Sequence, residues 1–409
     1  AEKVELKETE IGLIPKHWEV VRLGEVIKYY TPSKKLKQSD YKAFGKFPVI
    51  DQGQKYIAGF YDDETMVFDK DLPVILFGDH TRIIKYVDFP FICGAEGLKI
   101  IVPKENFHRK YFYYALLNLN IPSRGYNRHF KILIEKFIPL PPLEEQKAIA
   151  GILSTVQSAI EKTEKVINAL KNLKKSMMKH LFTYGPVAEE EAEKVELKET
   201  EIGLIPKHWE VVRLGEVVEK MKAGGTPRRS EKRFWGGSIP FIMIEDLTKS
   251  NLYIKDAREY ITEEGLEKSN AWIVPPNSLL LSMYATIGET AINLIPVATN
   301  QAILGIIPKK HRLNVEFGAY LLKFHAKRLL FQNIQTTQRN INKGIVENFL
   351  IPLPPLEEQQ KIAQILQSID QRIEKEEKYK NALQNLFKSL LHNLMTGKIR
   401  VRVKSHGED

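Results

Sequence analysis

Residues 1–26 read AEKVELKETEIGLIPKHWEVVRLGEV, and residues 192–217 repeat them letter for letter. A second block, IPLPPLEEQ, stands at 138–146 and again at 351–359. A chain that repeats itself this way is built as two copies of one plan, and that constrains its fold more than any composition can. Between the two blocks lie variable segments, roughly 27–136 and 218–348, which barely resemble each other. Drift after a simple duplication spreads differences evenly. Here the frame is identical and the middle has diverged, which predicts one shared structural job and two different local ones. Recent copying of the first block by recombination produces the same identity and is compatible with that division.

After each IPLPPLEEQ comes a long segment with helical periodicity. Its apolar positions are Ile149, Leu153, Val156, Ile160, Ile167, Leu170, Met177 and Leu181 in the first half. In the second they are Ile362, Leu366, Ile369, Ile373, Leu383, Phe387, Leu390 and Leu394. Steps alternating four and three make a heptad stripe, in which Thr163, Lys174, Glu376 and Lys380 take the remaining positions. Each segment predicts a helix of about 40 residues, about 60 Å long. The Pro141-Pro142 and Pro354-Pro355 pairs cannot sit inside a helix and mark the starts. Such a stripe must be buried. The expectation is that the two helices pair antiparallel within one chain as a pseudo-two-fold dumbbell. Parallel pairing, or pairing with another subunit, is the alternative.

Both variable segments read as mixed α/β. Strands are expected at 47–50, 73–77 and 98–102, then a helix at 111–119. The second segment has strands at 238–244, 278–283 and 303–307, then a helix at 317–331. A polar loop precedes each Pro-Pro pair. The first, 123–131, offers Arg124, Asn127, Arg128 and Lys131. The second, 335–343, offers Thr337, Gln338, Arg339, Asn340, Asn342 and Lys343. Arg suits guanine edges, and Asn and Gln suit adenine edges. Two further patches are the basic-aromatic run 226–235 (TPRRSEKRFW), with Thr226, Arg228, Arg229 and Arg233, and the turn 78–82 (GDHTR), with Asp79, His80, Thr81 and Arg82. The bland readings are a solvated basic loop and a turn with a satisfied histidine.

The 409-residue chain carries a net charge of +10, which favours an anionic partner, nucleic acid first. A Lys/Glu-rich surface also serves heat stability. One cysteine, Cys93, rules out an intrachain disulfide and argues against a cysteine-based zinc site. The apolar runs are too short for a membrane helix, and no signal-like segment begins the sequence, so a cytoplasmic location is expected. There is no phosphate-binding GxxxxGK[ST] loop, no GxSxG, no HExxH and no Asn/Asp-Pro-Pro-aromatic tetrapeptide. His17 and His208, beside Trp18 and Trp209 in the identical blocks, suit packing or an interface better than catalysis.

The whole chain resembles the specificity subunits (HsdS) of type I restriction–modification systems. The doubled GLIPKHWEVVRLG (12–24 and 203–215) and the doubled IPLPPLEEQ with its helix carry the resemblance. So do GGTP at 224–227, WGGSIPF at 235–241, YATIG at 284–288 and GDHTR at 78–82, which resemble pieces of target-recognition domains. The resemblance implies an α+β chain: two mixed α/β target-recognition domains joined by two long helices forming an antiparallel coiled coil. The expected bounds are 1–142, 143–184, 192–355 and 356–397, in the order domain, helix, domain, helix. It implies that each domain reads half of a split double-stranded DNA target, and that two methyltransferase subunits dock on the scaffold. Restriction or translocase subunits can join them. It implies no catalytic residue, no metal and no cofactor in this chain; S-adenosylmethionine, ATP and Mg belong to the partners. With Lys34, Lys35, Tyr284 and Thr286 added, the residues above form the expected DNA-contact set. A two-domain DNA-binding scaffold outside restriction and an enzyme of unseen motif are the other readings.

Overall fold

The computed structural model describes residues 5–123, 125, 127–284, 286–331 and 341–401. The chain divides into two compact units, Ala1–Glu164 with Lys378–Asp409, and Lys165–Glu377. Each is taken here by itself.

In unit 1 a four-stranded antiparallel sheet has the order Ile27–Tyr30, Leu98–Pro103, Val74–Gly78, Ile84–Val87. Val74–Gly78 is buried at every position. The reason is that side chains alternate across a strand and both faces are covered. Ile75 and Phe77 enter the core with Trp18, Tyr111 and Leu133, while Val74 and Leu76 meet Ile50, Phe91 and Ile100 on the other face. A smaller sheet supplies that second layer, in the order Gly59–Tyr61, Phe47–Ile50, Phe91–Cys93, Val67–Phe68.

Unit 2 repeats the plan. Its larger sheet runs Val218–Ala223, Ile303–Pro308, Ser278–Ser282, Thr290–Asn293, Tyr253–Ile254. Leu279 and Leu281 face one core and Leu280 the other. The smaller sheet is Glu259–Ile261, Trp235–Ile242, Ala298–Thr299.

The expected strands are present, Phe47–Ile50 at its expected bounds and the others with shifted ends. The expected helix at 111–119 is Arg109–Leu117, started by a His108 cap. The expected helix at 317–331 is two helices, Val315–Phe324 and Ala326–Phe331, with a turn at His325. The His325 ring packs among Phe182, Phe324 and Phe349.

The long helices are Leu143–Tyr184, of 42 residues, and Leu356–Met395, of 40. Both begin directly after Pro-Pro, with two Glu in the first turn, where the helix dipole favours them. In unit 1, Ile149, Ala150 and Leu153 share a core with Leu391, Leu394 and Met395, and Lys380 lies 3.7 Å from Glu164. In unit 2, Leu181 and Phe182 share a core with Ile362, Ala363 and Leu366, and Lys171 lies 2.7 Å from Glu377. In each unit the numbers rise on one helix as they fall on the other, so the pairing is antiparallel. The polar stripe residue Lys174 bonds Asp370 at 2.6 Å.

The two repeated blocks of each half meet. Glu19–Arg22 pairs antiparallel with Phe137–Leu140, and Glu210–Arg213 pairs in the same register with Leu350–Leu353. The variable segment is thus closed at its base by a clasp. A latch secures it. Trp18, 1% exposed, donates its indole N–H to Glu145 at 3.0 Å, and His17 Nε2 lies 2.7 Å from the same carboxylate. Trp209 and His208 meet Glu358 at 2.9 and 2.7 Å. The next residue, Gln146, accepts from His108 N–H and donates to the Asn106 and Pro141 carbonyls. Gln359 makes the equivalent three bonds, with Asn314, Arg312 and Pro354. His17 and His208 therefore each bond a carboxylate of a long helix while staying partly exposed. Buried polar groups must be paired, which explains why these letters recur together.

Candidate nucleic-acid interface

In each unit the larger sheet presents one end where three connections emerge side by side. In unit 1 the register places Leu98 opposite Gly78 and Ile100 opposite Tyr30. The segment after Tyr30, the turn after Gly78 and the chain entering Leu98 share that end. In unit 2 Ile303 faces Ser282 and Leu304 faces Ala223, so the segment from Gly224, the turn after Ser282 and the chain entering Ile303 do the same.

The polar loop before each clasp is tied to that turn. His129 N–H donates to the Asp79 carbonyl at 2.9 Å, and Ile341 N–H donates to the Met283 carbonyl at 3.2 Å. The turn is tied in turn to the strand entry: Asp79 N–H to Gly97 O at 2.6 Å, Met283 N–H to Ala302 O at 2.8 Å. These matched bonds bring together patches that are far apart in sequence.

Within unit 1, Asp79 is 3% exposed and its carboxylate accepts from Phe130 N–H at 2.7 Å. Its side chain holds the loop, not the solvent. His80 N–H donates to Gln52 Oε1 at 3.2 Å, and Thr81 Oγ1 donates to Gln52 O at 2.6 Å. Arg82 has a φ of 63° and donates to Ile121 O at 2.9 Å. Buried Lys85 supports the same loop, donating to Asp51 O and Lys55 O at 2.7 and 2.6 Å; burial lowers its pKa. Asn127, Arg128 and Lys131 are exposed. Lys34 is exposed and donates to Thr65 O at 2.7 Å; Lys35 is half-buried beside Leu36. Arg124 lies outside the described residues.

Within unit 2, Thr226 Oγ1 donates to Gln301 Oε1 at 2.5 Å. Arg228 is exposed, and its carbonyl accepts from Trp235 Nε1. Arg229 pairs with Glu259 at 2.6 Å and stacks 3.8 Å from the Trp235 ring centroid. Arg233 stands elsewhere, between Glu231 and Glu264 at 3.4 and 3.2 Å. Tyr284 O accepts from Ser282 Oγ, and Thr286 Oγ1 lies 3.4 Å from that hydroxyl. Asn342 caps Lys343–Glu347 by accepting from Ile345 N–H at 3.0 Å, and Lys343 lies 3.8 Å from Glu347. Thr337, Gln338, Arg339 and Asn340 lie outside the described residues.

The expected contact set leaves out Gln52, Glu96 and Gln301, which sit among these residues, although Glu96, like Asp79, reads in sequence as an unpaired candidate acid. Their signal is positional: Glu96 and Gln301 each stand two residues before the matched strand starts, Leu98 and Ile303. Among the described residues no three His, Cys, Asp or Glu side chains group to hold a metal ion, and no helix is long and apolar enough to cross a membrane.

A family model described as "Type I restriction modification DNA specificity domain" matches twice, at residues 15–172 and 206–385. The chain belongs to this family. Each match begins in an identical block and ends in a long helix. The chain is 30% identical to the type I restriction enzyme MjaVIII specificity subunit of Methanocaldococcus jannaschii, over 95% of this chain and 94% of that protein. It is 28% identical to the EcoR124I/EcoR124II specificity subunit of Escherichia coli, over 85% of each. The crystal structure of the S subunit of a type I restriction-modification system from M. genitalium shares the fold, with a TM-score of 0.62 at 18% identity over 92% of this chain and 96% of that one. The chain is therefore a type I specificity subunit, and this role is non-catalytic.

Proposed function

We propose that this specificity subunit reads a bipartite double-stranded DNA target, one half with each unit, through the sheet ends described above. On this reading 1–142 and 192–355 are the recognition domains. Helices 143–184 and 356–397 set the gap between half-sites, and methyltransferase subunits dock on the repeated frame, with restriction or translocase subunits joining in the full complex. The carrying observation is that clasp and latch are the same in both units while the sheet-end residues differ. A frame that is kept and a surface that varies are what two different half-sites on one scaffold require. The +10 charge supplies affinity for phosphate, and the divergent loops supply the choice of bases.

Replacing segment 27–136 by a second copy of 218–348 tests this directly. The expected product, complexed with its methyltransferase subunits, methylates a symmetric target made of the unit 2 half-site twice. Methylation at the original asymmetric target by the folded chimera would sink the reading. Adding one heptad to both long helices is expected to widen the gap by about 10 Å, about three base pairs. An unchanged gap would show that the helices do not set it.

A further inference from the structure

We propose that Glu96 and Gln301 are base-reading residues, one for each half-site, at the centre of the two sheet ends. The proposal rests on the reading above and goes beyond it by naming two residues and their base preference. Both stand in the short connection that crosses from the smaller sheet to the larger one. In unit 1 it runs from Phe91–Cys93 to Leu98–Pro103, and in unit 2 from Ala298–Thr299 to Ile303–Pro308. Two sheets therefore fix each tip. Gly94 N–H donates to Ile50 O at 2.9 Å, and Asn300 N–H donates to Ile242 O at 3.3 Å. The residue after each tip residue accepts from the recognition turn, as described for Gly97 and Ala302.

The tip of unit 1 is held in a shape that few sequences allow. Ala95 and Gly97 have φ values of 42° and 87°, in the left-handed region. A Cβ at Gly97 would come within 2.8 Å of Gln52 Nε2 and of His80 Cδ2. Gln52 Nε2 also donates to Glu96 O at 2.8 Å. The backbone is clamped and the Glu96 side chain is left exposed, with no hydrogen-bond or ion-pair partner among the described residues. A bare carboxylate at this sheet end is out of place on a surface meant only for phosphates. It fits if it accepts from an exposed base amino group, and cytosine N4 is the donor a carboxylate reads in the major groove. At the matched position Gln301 is exposed, and its Oε1 is anchored by the Thr226 hydroxyl. An amide fixed by one atom keeps a donor and a lone pair for an adenine edge.

The experiment uses the full-length chain with its methyltransferase subunits and a randomised duplex DNA library, sequencing what is bound. Glu96→Gln is expected to relax or switch one base pair of one half-site, from cytosine toward adenine. The loss of discrimination should be about tenfold or more, with the other half-site intact. Gln301→Ala is expected to relax one base pair of the other half-site. Arg128→Ala and Lys131→Ala are run beside them and read as overall affinity and salt slope. If these weaken binding while Glu96→Gln and Gln301→Ala leave both half-sites unchanged, the sheet end faces DNA and the proposal is overturned. If none of the four has an effect in a folded protein, the proposal and the reading beneath it both fall. Glu96→Ala with an unchanged melting temperature keeps a specificity change from being mistaken for unfolding.

Discussion

A tyrosine on the domain helix meets the long helices in both units, and the two meetings differ in chemistry. In unit 1 Tyr114 bonds Ser154 and Gln157 at 3.0 and 2.9 Å, and its ring lies 5.9 Å from that of Phe387. In unit 2 the matched Tyr320 donates to Asp370 at 2.7 Å, and Lys174, in the place of Phe387, bonds the same carboxylate at 2.6 and 2.8 Å. Burial is the main cause raising the Tyr320 pKa, with the Asp370 charge adding to it. One unit solves the contact with neutral groups and an aromatic ring, the other with an ion pair. The latch shows the opposite behaviour: His, Trp, Glu and Gln are retained in both copies. A contact needing only complementary surfaces drifts, while one that must satisfy several buried polar atoms at once does not.

The comparison breaks most visibly at the latch. Trp18→Ala and Trp209→Ala are each expected to destabilise their unit by about 3–5 kcal/mol, since both remove a buried ring and take one hydrogen bond from a carboxylate. Denaturant unfolding followed by hydrogen exchange in each unit checks this. If one latch tolerated the change, the two copies would not be doing the same job.

A smaller asymmetry is expected where the chemistry differs. Lys174→Ala leaves Asp370 facing Tyr320 on a site where both ion-pair side chains are about one-fifth exposed, 22% and 18%. The cost should be roughly 1–3 kcal/mol. Gln157→Ala removes a neutral bond and should cost about 1 kcal/mol or less. The double change Lys174→Phe with Asp370→Gln puts the unit 1 residues into unit 2, keeps an acceptor for the buried Tyr320 hydroxyl, and should lie close to wild type. Thermal melts of the three variants decide it; equal losses for Lys174→Ala and Gln157→Ala would erase the distinction.

The sequence made the repeat, the helix starts and the paired stripes readable, because Pro-Pro and a heptad are local signals with a mechanical cause. It also showed Lys174 as a polar interruption, although its partner Asp370 lies off the stripe and needed the structure. The latch was not readable, since Trp18 and Glu145 are 127 residues apart and nothing local links them. In retrospect, two blocks that recur as a pair are the signal that they touch. The expected contact residues fared unevenly. Arg128 and Arg228 are exposed, whereas Asp79 is turned inward to hold Phe130 N–H. An acidic residue at a turn reads the same in sequence whether it faces backbone or solvent.

Acid should separate the units next. His325 sits where unit 1 has Leu119, counting from the matched helix starts Arg109 and Val315. Its Nε2 has no hydrogen-bond partner among the described residues, and burial, with Arg328 adding repulsion, pushes its pKa down to about 3. The unfolded chain binds this proton near pH 6.5. Unfolding therefore takes up a proton between those values. The His325 contribution is complete above about pH 6.5 and declines as pH falls toward about 3. His325→Leu is expected to flatten the acid limb of unit 2 and leave that of unit 1 alone. An unchanged acid limb would mean that other groups dominate it.

The smallest difference is at the helix caps. Arg109–Leu117 starts with His108, whose Nδ1 accepts from Tyr111 N–H at 3.4 Å, and Val315–Phe324 starts with Asn314, whose Oδ1 accepts from Phe317 N–H at 2.8 Å. Asn is among the best capping residues, and its bond is much the shorter, so Asn314→Ala should cost about 1 kcal/mol and His108→Ala less. The histidine cap works only while the ring is neutral, because a protonated Nδ1 has no lone pair to offer. Burial, with Lys147 adding repulsion, lowers the His108 pKa, so this cap is whole above about pH 6.5 and weakens as pH falls. His108→Asn should therefore stabilise unit 1 by a few tenths of a kcal/mol at neutral pH and by more in acid. Melting temperatures at pH 7 and pH 5 test it, and a variant whose advantage does not grow in acid would show that the histidine acts by packing and not as a cap.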